Sequence, residues 1–194
     1  MTSHSINNYP DYIINGGLNF SDYYNPANRN QTPEVLTSYI LENITDNIKT
    51  IIDVGCACGK NFIPFADSFN CIGFDRAPAD VIKWVCDTDN LTYYECSIED
   101  FIDHIDEFDI DWENSLVFTH GTLMYASHEN QNRFVEAVLR KGCRNLTLQE
   151  YEPGNSGPHP YFNLNETNLK LFEKKMLRDS FAGNPTAHII LNKK

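Results

Sequence analysis

The chain has 194 residues, with 15 Lys and Arg against 27 Asp and Glu, for a formal net charge of −12. This length suits one domain with a full core, and so acidic a balance argues against a protein that grips nucleic-acid phosphates through a basic face. No apolar stretch approaches the roughly twenty residues of a membrane span, and the N-terminus MTSHSINNYPDYIINGG lacks the pattern of a secretion signal, so the chain reads as cytoplasmic.

The first 33 residues mix Tyr9, Tyr12, Phe20, Tyr23 and Tyr24 with Asn, Gly and Pro, and form an extension ahead of a domain at 34–194. A helical stretch then runs from Glu34 to about Asn47, with Val35, Leu36, Tyr39, Ile40 and Ile44 at helical spacing. Strand one, Thr50 to Val54, breaks into a loop with Gly55, Ala57 and Gly59 at alternate positions. Small residues remove Cβ bulk, so the backbone of such a turn can approach a ligand closely. A helix from about Lys60 to Phe69 follows, shortened or kinked by Pro64, and its unpaired N–H groups face the same spot. Strand two, Cys71 to Phe74, leads into Asp75, twenty residues after Gly55. Dinucleotide-type folds place a ribose-binding acid at about this distance.

Further on, Asp80 to Cys86 is a short helix, Leu91 to Cys96 strand three, and Ile98 to Phe108 a helix packed on the sheet. Strand four is Ser115 to Thr119. Ser127 caps a helix through Lys141 that Gly142 stops. Asn145 to Gln149 is strand five, and a helical piece runs from about Asn165 to Phe172. Two last strands, Lys175 to Phe181 and Ala187 to Leu191, flank Gly183-Asn184-Pro185. The cysteines (Cys56, Cys58, Cys71, Cys86, Cys96 and Cys143) offer one C-x-C and no second pair. They read as buried packing groups rather than a zinc site or a disulfide framework.

The pattern over Asp53 to Gly59 is D-x-G-x-A-x-G. Lys60 stands where a pyrophosphate-binding turn has its third glycine, which disfavours a nicotinamide-dependent oxidoreductase. The pattern resembles the first motif of the class I S-adenosylmethionine-dependent methyltransferases, D/E-x-G-x-G-x-G, with Ala57 in place of the middle glycine. The resemblance spans about Glu34 to the C-terminus. It implies an α/β, Rossmann-like methyltransferase fold: a mostly parallel seven-stranded-type sheet, a C-terminal antiparallel hairpin, and helices on both faces. It also implies S-adenosyl-L-methionine as cofactor. Asp53 would hold the methionine amine, Gly55, Cys56, Ala57 and Gly59 would form the turn around it, and Asp75, followed by Arg76, would meet the ribose hydroxyls. Ser97 and Ile98 fall where the family meets adenine, although Ser97 stands where Asp is frequent. Glu99 or Asp100 fits that role as well, and a helix cap by Ser97 with Asp100 is the competing assignment.

Strand four delivers Thr119-His120-Gly121-Thr122-Leu123-Met124-Tyr125 to the carboxyl end of the sheet, where ligands lie in open α/β folds. His120 is the candidate catalytic base, since imidazole titrates near neutrality and can take a hydroxyl proton; a hydrogen-bonded wall residue is its other role. Tyr125, Glu150 and Tyr24 are candidate acceptor contacts, Tyr24 from a segment that is either a lid or a plain extension. Arg29 would meet the cofactor carboxylate. The Asp/Asp/Asn set of the metal-dependent catechol-type enzymes is not visible around Glu150 and Glu152, so no metal is expected. His159 reads as a surface-loop residue. The expectation is methyl transfer to a small molecule at oxygen, with no nucleic-acid or membrane partner. The alternatives are a cofactor-binding protein without transfer activity and an N-methyltransferase on a small amine or peptide.

Overall fold

Alternation along the two central strands feeds two cores. The computed structural model describes residues 34–57, 59–76, 89–151, 162–181 and 184–193. Every residue of β1 (Thr50–Val54) is buried, as are the first five of β4 (Ser115–His120). Ile51, Leu116 and Phe118 pack on one face with Ile40, Phe62, Phe65 and Cys71, while Ile52, Val54 and Val117 pack on the other with Phe74, Phe101 and Phe134. Ile40 brings α1 (Glu34–Asn43) to the first face; α2 (Ile98–His104) and α3 (His128–Arg140) cover the second. Burial on both faces is why these strands read as near-continuous apolar runs.

The sheet order is β3-β2-β1-β4-β5-β7-β6. β2 (Asn70–Asp75), β3 (Leu91–Glu95) and β5 (Asn145–Tyr151) complete a parallel set of five with β1 and β4. β7 (Asn184–Lys193) pairs antiparallel with β5, and β6 (Phe172–Phe181) antiparallel with β7. The chain builds outward from β1 to β3, then returns to lay β4 on the opposite side of β1. Such a reversal opens a crevice at the carboxyl ends of the two strands. Here that crevice lies between the turn at Gly55 and the loop at His120-Gly121.

Several expected elements come out differently. The helix from Lys60 to Phe69 is absent: a 3-10 turn at Lys60–Phe62 is followed by further turns. Pro64 has no N–H to give to a helical carbonyl. Around it the chain closes in pieces, with the Phe65 and Ala66 N–H groups on the Phe62 carbonyl and those of Ser68 and Phe69 on the Phe65 carbonyl. Among the described residues, no long helix therefore aims its N-terminus at the glycine turn. α1 stops at Asn43, where Thr45 to Asn47 form a turn closed by the Ile48 N–H on the Thr45 carbonyl (2.9 Å). α2 tightens into a 3-10 turn at Ile105–Glu107, and the piece after Asn165 is a single turn, α4 (Glu166–Leu169), because Phe172 already belongs to β6. α3 keeps its expected ends: Ser127 Oγ accepts the Asn130 N–H (3.2 Å), and Gly142 takes φ 88°.

Amide side chains of α3 pin the segment after residue 161 to that helix. Gln131 Oε1 accepts the Asn163 N–H (2.8 Å), and Asn168 Nδ2 donates to Asn132 Oδ1 (3.0 Å) and Glu136 Oε1 (3.1 Å). The expected helix at 80–86, the segment 1–33 with Tyr24 and Arg29, and the loop with His159 lie outside the described residues. Among the described residues no helix is long and apolar enough to cross a membrane.

Candidate functional site

The turn after β1 alternates its backbone hand. Gly55 (φ 87°), Ala57 (φ 49°) and Gly59 (φ 71°) all adopt the left-handed region that side chains disfavour. Ala57 is held there by its N–H, which donates to Asp75 Oδ2 (2.8 Å). Gly55 and Cys56 both donate to the Phe74 carbonyl (2.7 and 3.2 Å), and Gly59 donates to the Cys56 carbonyl (2.8 Å).

The vacancy left by the missing Cβ of Gly55 is already filled from within the chain. A Cβ built there would overlap the Thr122 side chain, whose Oγ1 lies 3.5 Å from the Gly55 carbonyl oxygen. Gly55→Ala is therefore expected to cost about 3 kcal/mol, combining a strained φ with overpacking. The same change in a Thr122→Ala background should cost at least about 1 kcal/mol less, read as the coupling in a urea-unfolding mutant cycle. Strictly additive costs would rule out the contact.

Cys56 departs from the expected cofactor contact. Its side chain is buried in the first core, with Sγ 2.7 Å from where a Cβ on Gly73 would sit; its N–H is given to the Phe74 carbonyl of β2 and its carbonyl accepts from Gly59.

Asp53 is fully buried beneath this turn, and its Oδ2 accepts a hydrogen bond from Asn61 Nδ2 (2.9 Å). Asp53 Oδ1 and Asn61 Oδ1 are both buried without a hydrogen-bond partner among the described residues. Two such buried acceptors are costly unless a donor meets them. Burial pushes the Asp53 carboxyl up to about 8; the Asn61 hydrogen bond opposes the rise and the charge of Asp75 adds to it. A ligand carrying several N–H donors and a positive charge, such as a primary ammonium, fits both vacancies.

Asp75 ends β2 half-buried. Its carbonyl accepts from Tyr93 Oη (3.0 Å) and from the Cys96 N–H (2.8 Å), which fixes the strand end and leaves the carboxylate beside the turn. Arg76 follows, exposed. Ser97 forms a reciprocal cap with Asp100: its Oγ accepts the Asp100 N–H (3.0 Å) and donates to Asp100 Oδ2 (2.8 Å), and its own N–H reaches that same oxygen (3.2 Å). The capping assignment is thus present in the geometry. Ile98 opens α2, where a backbone N–H has no carbonyl of its own helix to meet.

On the β4 side, His120 ends the strand half-buried and in register with Gln149, whose carbonyl accepts the Gly121 N–H (2.8 Å). Tyr125 is half-buried in a 3-10 turn, Leu123–Tyr125, too short for any periodicity in the sequence to mark. Glu150 needs correction as an acceptor contact, because it is wholly buried and its side-chain bonds run to the end of β4 and the loop after it. It accepts from Thr119 Oγ1 (2.7 Å) and from the N–H groups of Thr122 (3.2 Å), Leu123 (3.1 Å) and Met124 (3.4 Å). Burial pushes its carboxyl up to about 7, against the pull of those four bonds.

No protein-family model matches the chain, and no curated protein matches it. Solved structures do match. The magnesium protoporphyrin IX methyltransferase of Synechocystis PCC 6803, with S-adenosylhomocysteine bound, superposes with a TM-score of 0.60 at 13% identity, covering 95% of this chain and 97% of that one. The chain has the class I S-adenosylmethionine-dependent methyltransferase fold. A methyltransferase from Archaeoglobus fulgidus shares it with a TM-score of 0.58 at 14% identity, over 83% of this chain and 94% of that one. The 1,6-didemethyltoxoflavin-N1-methyltransferase of Burkholderia thailandensis does so with a TM-score of 0.60 at 12% identity, over 94% and 84%. Within the methyltransferase fold, the structure gathers Asp53, Gly55, Ala57, Gly59 and Asp75 around the turn after β1, with His120 at the carboxyl end of the neighbouring β4. Asn61, Thr119 and Thr122 join them without having been singled out from the sequence. The one local signal was Asn61, a buried amide among the phenylalanines that follow the glycine turn.

Proposed function

We propose that the chain is an S-adenosyl-L-methionine-dependent methyltransferase acting on a small-molecule acceptor at oxygen. The observation that carries this reading is the pair of unpartnered buried oxygens on Asp53 and Asn61 behind the glycine turn. They hold the cofactor's ammonium, while the backbone of Gly55, Ala57 and Gly59 lines its methionine arm. Asp75 accepts from the ribose hydroxyls with Arg76 beside it, and the start of α2 at Ser97 and Ile98 meets the adenine edge. When bound, the cofactor supplies a methyl group already activated by its sulfonium. The protein's task is then to align the acceptor and take its proton. His120 takes that proton at an imidazole nitrogen, and Tyr125 walls the acceptor.

A porphyrin and a toxoflavin precursor in the names of two structural neighbours support a small acceptor, and the second name, an N1-methyltransferase, favours an amine as the alternative. The net charge of −12 supports an acceptor other than nucleic acid.

Calorimetric titration tests the reading. S-adenosylhomocysteine and S-adenosylmethionine should bind and NAD should not; NAD binding in their place would overturn it. At pH 7 the Asp53 carboxyl, held up to about 8, is protonated in the free protein and must ionise to face an ammonium. Binding should therefore release up to one proton, seen as a heat that changes with the ionisation enthalpy of the buffer, and Asp53→Asn should abolish that dependence. The sign for folding is the reverse of a salt-bridged acid. The unfolded carboxyl loses its proton near 3.8 and the folded one near 8, so this stabilisation of the unliganded chain is full at low pH and fades as pH rises through about 8.

A further inference from the structure

Glu150 is a buried carboxylate whose donors are all neutral. Its Oε1 receives Thr119 Oγ1 (2.7 Å), the Thr122 N–H (3.2 Å) and the Leu123 N–H (3.1 Å), while Oε2 receives the Met124 N–H (3.4 Å). Three successive backbone N–H groups converging on one carboxylate make an anion nest. The nest supplies the acceptor that the short turn Leu123–Tyr125 lacks for its leading N–H groups.

The positions of those donors matter more than their number. Thr119 lies one residue before His120 and Thr122 two residues after it, and both are tied to the same oxygen of Glu150. Thr122 is fixed a second time, on the opposite side of the loop. Its Oγ1 lies 3.3 Å from the His120 carbonyl oxygen and 3.5 Å from that of Gly55, in the space the glycine leaves. A continuous set of contacts thus runs from β5 through the β4 loop to the turn after β1.

We propose that Glu150 is the positioning residue of the acceptor side: it touches no reactant, and it holds His120 at the crevice by clamping the chain on both sides of it. The proposal rests on the methyltransferase reading for its kinetic consequence. Its structural consequence stands apart from that reading.

Glu150→Gln keeps the volume and one carbonyl acceptor but sets an NH2 group against the Met124 N–H. Amide hydrogen exchange should quicken by about 10-fold at Met124 and neighbouring Leu123, with α3 amides such as Val135 and Val138 unaltered. Turnover with an acceptor found by mass-shift screening should fall about 10-fold, while S-adenosylhomocysteine affinity stays within about 3-fold. Because the effect acts through His120, the same substitution in a His120→Ala background should cost less than about 2-fold. Glu150→Leu, which leaves four donors unmet, should lose more than the Gln variant if it folds. Unchanged exchange at Met124 would overturn the clamp, and so would a Gln variant that turns over like the parent or loses as much again without His120. If the parent transfers methyl to no acceptor, the exchange result alone decides the clamp, and the failure belongs to the functional reading.

Discussion

Asp75→Ala is expected to weaken S-adenosylhomocysteine binding by about 10²-fold. Two charge-assisted hydrogen bonds to vicinal hydroxyls, at about 1.5 kcal/mol each, amount to about 3 kcal/mol. The carboxylate has a second task, however, because its Oδ2 holds the Ala57 N–H in a left-handed turn. Loss of binding alone therefore does not separate recognition from turn shape. A 2′-deoxy analogue of S-adenosylhomocysteine does: it should bind the parent more weakly than the natural compound and lose much less on the Ala substitution. Asp75→Asn, which can still accept from Ala57, should fall between the two. If the deoxy analogue suffers as much as its parent compound from Asp75→Ala, the residue is a turn brace and the ribose assignment fails.

His120→Ala should lower turnover by about 10²-fold or more, with little effect on cofactor affinity. The residue stands at the carboxyl end of β4 beside the topological reversal, and its neighbours Thr119 and Thr122 are braced from behind. A hydroxyl acceptor must lose its proton as the oxygen attacks, so removing the imidazole should also flatten the acidic limb of the pH–rate profile. An amine acceptor that is already neutral does not need that help. Measuring hydroxyl and amine acceptors side by side thus distinguishes transfer to oxygen from transfer to nitrogen. Turnover unaltered by the substitution on a hydroxyl acceptor would reduce His120 to part of the wall.

What could be read from the sequence was whatever is local. β1 was bounded by Lys49 and Gly55 because a β-branched run meets a left-handed glycine, and its observed limits are the expected ones. The nearness of Asp75 to the turn follows from its distance along the chain, and the ends of α3 from Ser127 and Gly142. The stretch after Lys60 misled for a local reason too: Phe62, Phe65, Ala66 and Phe69 carry helical spacing, yet Pro64 breaks the hydrogen-bond ladder that spacing alone cannot report. The remaining errors were long-range. Thr122 meets Gly55 across 67 positions and Glu150 across 28, so neither the filling of the glycine's space nor the true work of that carboxylate left a trace in any window of sequence. Glu150 looked like a ligand-facing acid because it follows a strand end, and only the packing of β5 against the β4 loop shows it turned inward. Cys56 likewise sat in the right motif but faces the core.

The seating of Thr122 against Gly55 bears on any attempt to re-engineer this chain. The acceptor-side loop and the bend after β1 are two halves of one joint, so a graft that imports a new loop inherits a shape requirement from a residue it never contacts in sequence. A bulkier side chain at 122 would push the bend outward, and a smaller one would leave it slack. Designers seeking new acceptors should therefore exchange the two segments as a unit, or confine their changes to the residues beyond Met124.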